Sequence, residues 1–101
     1  MESGKKILIF TASYNEKENI EKLILKIKEF LPEANILIID DNSPDQTKDI
    51  INKLMENIKG LNLIVREKKL GLDTAHKFAY EYAIQNEYDY LITMDADLSH
   101  D

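Results

Sequence analysis

The sequence predicts an α/β domain: a Rossmann-like parallel sheet with helices on both faces. Three observations carry that reading. Short, uniformly apolar runs alternate with longer amphipathic stretches in the order β-α-β-α-β-α-β. The apolar runs lack the in-out alternation of a half-exposed sheet, as expected for parallel strands covered on both sides. A length of 101 residues, 44% hydrophobic and 32% charged, fits one globular domain with a core of its own.

Residues 7–10 read as the first strand. In residues 16–31, Ile20, Leu23, Ile24, Ile27, Phe30 and Leu31 recur at helical spacing, and Pro32 stops that helix. Asn15 as N-cap with Glu18 at N3 would open it. Residues 36–39 form the second strand. Ser43 as N-cap, Pro44 at N1 and Gln46 at N3 predict the start of a second helix, with Ile50, Ile51, Leu54 and Ile58 on its apolar side and Gly60 at its end. Residues 61–65 make the third strand. A third helix over roughly 73–86 places Ala75, Phe78, Ala79 and Tyr82 on one stripe, and residues 88–94 form the fourth strand.

Right-handed crossovers favour the strand order 3-2-1-4, with the first two helices on one face and the third on the other. The switch point then falls between strands 1 and 4, and ligands of such sheets bind beyond the carboxyl ends there. Three polar clusters meet at that place: Thr11 to Glu16, the pair Asp40 and Asp41, and Asp95 to Ser99. Asp95 and Asp97 are one residue apart at the end of an extended run, so their carboxylates point the same way. Two hard oxygen donors suit Mg²⁺ or Mn²⁺ shared with a ligand's phosphates, which reads as a nucleotide-diphosphate site.

In the other clusters, Tyr14 is an aromatic placed to pack on a base or ribose, with Glu16 or nearby backbone meeting polar edges. Adjacent carboxylates on a strand point opposite ways, so Asp41 is expected to face the crevice as an acceptor and Asp40 to face away. Arg66 or Lys69 could offset phosphate charge. His76 reads as an exposed helix residue, and His100 is open to either a structural or a ligand role.

A formal net charge of −6, with lysines scattered rather than striped, argues against nucleic-acid binding. The absence of cysteine excludes a disulfide framework and a thiolate zinc site, and is compatible with a cytoplasmic location. The N-terminal apolar run is too short for a signal-peptide core or a membrane span, so membrane association is expected to be indirect.

These residues resemble the N-terminal part of family 2 glycosyltransferases with the GT-A fold, and more narrowly the dolichol- and polyprenol-phosphate mannosyltransferases. The resemblance rests on four colinear segments: residues 13–19 around Tyr14, Asn15 and Glu16; 39–47 around Asp40, Asp41, Ser43 and Thr47; 66–75 around Arg66 and Gly71; and 94–100 around Asp95 and Asp97. It implies that Tyr14, Glu16, Ile39 and Asp41 contact the nucleotide and that Ala96 and Asp97 contact the nucleotide sugar. Asp95 and Asp97 would hold the divalent metal, Asp97 being the candidate catalytic residue. The implied reaction moves a sugar, mannose from GDP-mannose, to a polyprenyl or dolichyl phosphate at the cytoplasmic face of a membrane.

Three positions depart from the family pattern. Ser13 stands where the family usually has Pro, and is expected to loosen the nucleotide loop by freeing φ. Gln46 and Asp73 stand where it has Gly. Family members are longer, so residues 1–101 read as the nucleotide-sugar-binding half of a GT-A domain, expected to be inactive alone. Rival readings are a non-catalytic nucleotide-binding module or split-protein subunit, a receiver domain and a dinucleotide oxidoreductase. Receivers carry their acidic pair after strand 1, and strand 1 here is not followed by Gly-x-Gly-x-x-Gly. The fourth strand, apolar and at an edge, invites pairing with a second copy.

Overall fold

The apolar runs become strands because β-branched and aliphatic residues cluster in them and both faces can be covered. A computed structural model describes residues 5–67 and 72–94. It contains β1 (Ile7–Ser13), α1 (Ile20–Phe30), β2 (Asn35–Asp40), α2 (Thr47–Met55), β3 (Leu61–Val65), α3 (Leu72–Gln85) and β4 (Tyr90–Thr93). All pairings are parallel and the order is β3-β2-β1-β4, as the sequence predicts.

The register sorts the core into two layers. Ile9, Ile36, Ile38 and Leu61 meet Ile20, Leu23, Ile24 and Ile27 of α1 and Ile51 of α2. Leu8, Phe10, Leu37 and Ile39 meet Ala75, Ala79 and Ala83 of α3. Successive strand residues therefore serve opposite faces, two helices on one side and one on the other. Each fully buried Ile or Leu contributes about 1.5–3 kcal/mol relative to exposure.

Several local expectations are corrected. β1 runs to Ser13, because Thr11, Ala12 and Ser13 continue the ladder against Ile38, Ile39 and Asp40. α1 begins at Ile20 rather than 16. Asn15 adopts φ 57°, left-handed and incompatible with an N-cap, and the Glu16 carbonyl accepts from the amides of both Asn19 and Ile20. α2 begins at Thr47, so Ser43 and Pro44 lie outside it; Asp45 accepts from the Thr47 amide (3.0 Å) and hydroxyl, a local turn that delays the helix. Gly60 lies beyond the end of α2, at φ 78° in the turn entering β3. An added Cβ there would strike the Asn35 side chain. Phe30 is 70% exposed, and the buried stripe of α3 runs Ala75, Ala79, Ala83, with Phe78 39% exposed beside it.

Candidate functional site

Backbone hydrogen bonds lock the carboxyl ends of the strands together. The Asp41 amide donates to the Ser13 carbonyl (3.2 Å), the Arg66 amide to the Asp40 carbonyl (2.8 Å) and the Met94 amide to the Phe10 carbonyl (2.9 Å). The Thr11 hydroxyl, fully buried, donates to the Met94 carbonyl at 2.6 Å and fixes the chain where it leaves β4. Phe10 pairs with Thr93, whereas Ser13 pairs with Asp40. Met94 is thus level with Thr11 and Asp40 with Ser13, a step of two residues, about 6–7 Å.

Asp40 is completely buried at the head of β2. Its Oδ1 accepts from the Ser13 and Ser43 hydroxyls, both at 2.6 Å, and its Oδ2 from the Ser43 amide at 2.8 Å. A buried carboxylate is tolerated only when its lone pairs are satisfied in this way. Asp40 does face away from the crevice, as expected, but it faces inward beneath two loops. Ser13 is correspondingly held, not loosened: it is 3% exposed and bonded through both its hydroxyl and its carbonyl.

The β1–α1 loop spends its amides on the β2–α2 loop. The Asn15 amide donates to Ser43 Oγ (2.8 Å), the Glu16 amide to Thr47 Oγ1 (3.0 Å) and the Lys17 amide to Asp45 Oδ2 (3.3 Å). In dinucleotide-binding folds the first loop and helix N-terminus cradle phosphate with such amides. Here these three are consumed internally, by Ser43, Thr47 and Asp45. Burial works to raise the Asp45 carboxyl, but the Thr47 hydroxyl and amide, the Lys17 amide and the Lys17 charge outweigh it, holding it below its ordinary value.

Asp41 and Arg66 form a fork: Nε donates to Oδ1 at 2.6 Å and Nη2 to Oδ2 at 3.0 Å, with both side chains 11% exposed. Arg66 Nη1 also reaches the Thr74 hydroxyl at 2.8 Å, joining the end of β3 to the first turn of α3. The Asp41 carboxylate is therefore held by the Arg66 guanidinium in a two-point ion pair.

Of the other expected site residues, Tyr14 is 37% exposed on its loop and Glu16 is half-buried beside it. Ile39 is 1% exposed, its side chain packed in the α3 layer. His76 is an exposed residue of α3 whose ring still meets Phe10 edge-on at 5.2 Å. Gln46, at φ −94°, needs no glycine conformation, and Asp73 occupies the first turn of α3, where a negative charge favours the helix dipole. Asp95, Ala96, Asp97, His100, Lys69 and Gly71 lie outside the described residues. Among the described residues no group of three or more His, Asp or Glu side chains is arranged to hold a metal ion. Asp45 was not singled out from the sequence, and Thr11 and Thr47 entered it only as members of longer segments; the only signal for their roles was a hydroxyl or carboxylate at a strand end or helix start.

Residues 8–101 match the family described as Glycosyl transferase family 2. The chain belongs to that family. Among curated relatives of this family 2 chain, it is 30% identical over 97 residues to a polyprenol monophosphomannose synthase of Mycolicibacterium smegmatis, covering 95% of the chain and 37% of the relative. It is 30% identical to an undecaprenyl-phosphate mannosyltransferase of Micrococcus luteus, covering 94% of the chain and 39% of that protein. A dolichol-phosphate mannosyltransferase of Pyrococcus furiosus is 34% identical, with 94% of the chain and 26% of the relative covered. The family 2 chain thus spans less than two-fifths of each of these relatives. A mannosyltransferase of Pyrobaculum calidifontis, solved with GDP-Man and Mn²⁺, superposes with a TM-score of 0.81 at 21% identity, over 94% of the chain and 28% of its own, and so shares the GT-A fold. Among the described residues no helix is long and apolar enough to cross a membrane.

Proposed function

We propose that this chain is the donor-nucleotide part of a glycosyltransferase that moves mannose from GDP-mannose to a polyprenyl phosphate at the cytoplasmic face of a membrane. The observation that carries this reading is the convergence at the switch point. Tyr14, Asp41 and the exit of β4 lie along three adjacent strand ends. The names of the relatives, and the GDP-Man in the structural neighbour, support the donor and acceptor.

Tyr14 offers a ring face to the base or ribose. Asp41, held by Arg66, offers its remaining lone pairs to ring N–H groups or ribose hydroxyls. Asp95 and Asp97 follow directly on Met94, whose carbonyl Thr11 fixes. Their hard oxygen donors fit Mg²⁺ or Mn²⁺. A divalent ion bound there supplies charge neutralisation for the diphosphate leaving group. The Asn15, Glu16 and Lys17 amides are taken up by the β2–α2 segment, which fits a reading in which a divalent ion meets the diphosphate charge. The acceptor phosphate is itself the nucleophile, so no strong protein base is required.

Calorimetry of the chain with GDP, UDP and ADP, with and without Mn²⁺, tests this reading. GDP should bind in the micromolar range and only with metal. Equal heats with and without Mn²⁺ would remove the metal assignment, and a preference for UDP would move the donor away from GDP-mannose.

A further inference from the structure

The loop carrying Tyr14 and Glu16 takes its shape from side chains of another loop. Three consecutive amides, Asn15, Glu16 and Lys17, are each received by a residue of the β2–α2 segment, Ser43, Thr47 and Asp45 respectively. Both hydroxyls are themselves oriented by a carboxylate. Ser43 Oγ gives its one proton to Asp40 Oδ1 at 2.6 Å, and Thr47 Oγ1 gives its proton to Asp45 Oδ1 at 2.5 Å. Each hydroxyl, its proton spent, presents only lone pairs to the amide above it. Ser43 is 2% and Thr47 0% exposed, so neither hydroxyl has water to replace a lost partner.

The anchored loop is also not in a relaxed conformation. Asn15, between Tyr14 and Glu16, has φ 57°, which a non-glycine residue adopts at a cost and keeps only where its surroundings impose it. The bond from its amide to Ser43 is part of that imposition.

We propose that Ser43 and Thr47 are positioning residues for nucleotide binding: through the Asn15 and Glu16 amides they hold Tyr14 and Glu16 in the conformation that meets the base and ribose. The relay runs from buried Asp40 and from Asp45, through the two hydroxyls, to the loop. Neither hydroxyl touches the ligand. This inference rests on the proposed nucleotide site for its ligand, though not for the coupling itself.

The test uses the 101-residue chain and four variants, Ser43→Ala, Ser43→Thr, Thr47→Val and Thr47→Ser, with Ile24→Val as a control that trims the core without removing a hydrogen bond between the loops. Amide hydrogen exchange followed by NMR and GDP titration with Mn²⁺ are read well below each variant's unfolding temperature. Ser43→Ala should speed exchange at Asn15, and Thr47→Val at Glu16, each by roughly ten-fold, with a comparable rise in the GDP dissociation constant. Ser43→Thr and Thr47→Ser, which keep the hydroxyl, should restore both. Ile24→Val should lower the unfolding temperature and leave GDP affinity unchanged. If the hydroxyl-less variants behave like Ile24→Val, with loop exchange and affinity unmoved, the proposal is overturned. Should the parent chain fail to bind GDP, the nucleotide reading and the ligand role proposed here fall together, while exchange at Asn15 and Glu16 still decides whether the loops are coupled.

Discussion

On one face of the sheet, two helices bring large aliphatic side chains, Ile20, Leu23, Ile24, Ile27 and Ile51, against Ile9, Ile36 and Ile38. On the other, a single helix brings Ala75, Ala79 and Ala83 against Leu8, Phe10, Leu37 and Ile39. Bulk is shared between helix and sheet on the first face and supplied mainly by the sheet on the second. A helix whose fully buried positions are all alanine can lie close to the strands but has little volume to give up there. The two faces should therefore fail in opposite ways, the first by cavities and the second by overpacking. The outward sides differ as well. α3 leaves Tyr80 and Ile84 more than 60% exposed, next in the chain to an edge strand whose Tyr90 is 52% exposed. Apolar surface of that kind is what a second chain or a further segment would cover.

The largest effect that would sharpen this contrast comes from Ile24→Ala. Ile24 is 0% exposed, and its truncation should lower the unfolding free energy by about 2–5 kcal/mol in urea melts. A loss no larger than that of a surface substitution would mean that α1 can collapse onto the sheet. Next, Ala79→Leu should cost about 1–3 kcal/mol by forcing α3 away from Phe10 and Leu37. If the variant is as stable as the parent, the alanine face is loosely packed and the contrast breaks. The smallest effect concerns how a helix on the first face is started. Asp45→Asn should cost less than about 1 kcal/mol near neutral pH, because the carboxylate is half-exposed. Its folded value is lowered from 3.8, so its contribution is complete above that value and disappears as pH falls through the folded one. The gap between parent and variant should accordingly hold above pH 3.8 and shrink as pH falls below it, a trend that a pH-independent gap would refute.

The sheet was legible because its signals are local or general. Apolar runs marked all four strands, and right-handed crossovers left one sensible order, with the ends of β3 placed correctly and those of α3 within one residue. Helix starts were misread where a distant partner claimed the capping group. The spacing of Ser43, Pro44 and Gln46 fits a capping box, yet the Ser43 hydroxyl is bound to Asp40 and Asn15, the latter 28 residues away. Asn15 fits an N-cap locally, but that same bond accompanies a left-handed backbone. Phe30 occupies a helical-period position and still faces outward, since periodicity gives a direction and not the presence of something to pack against. At the site, the exposure of Tyr14 followed from its loop, whereas the pairing of Asp41 with Arg66, 25 residues apart, needed the third dimension.

The position of β4 has a bearing on how the chain acquires its shape. β1 is the first strand in sequence, yet one of its two sides is completed only by β4; the Lys6 amide to Asp89 and the Thr11 hydroxyl to Met94 each span 83 residues. Parallel pairings separated this far in sequence close slowly, since loop-closure entropy is lost before the contacts form. Until β4 docks, a strand containing Leu8, Ile9 and Phe10 shows an open edge in a half-built sheet. The interval before that last pairing is when the molecule is most exposed to strand addition from a neighbour.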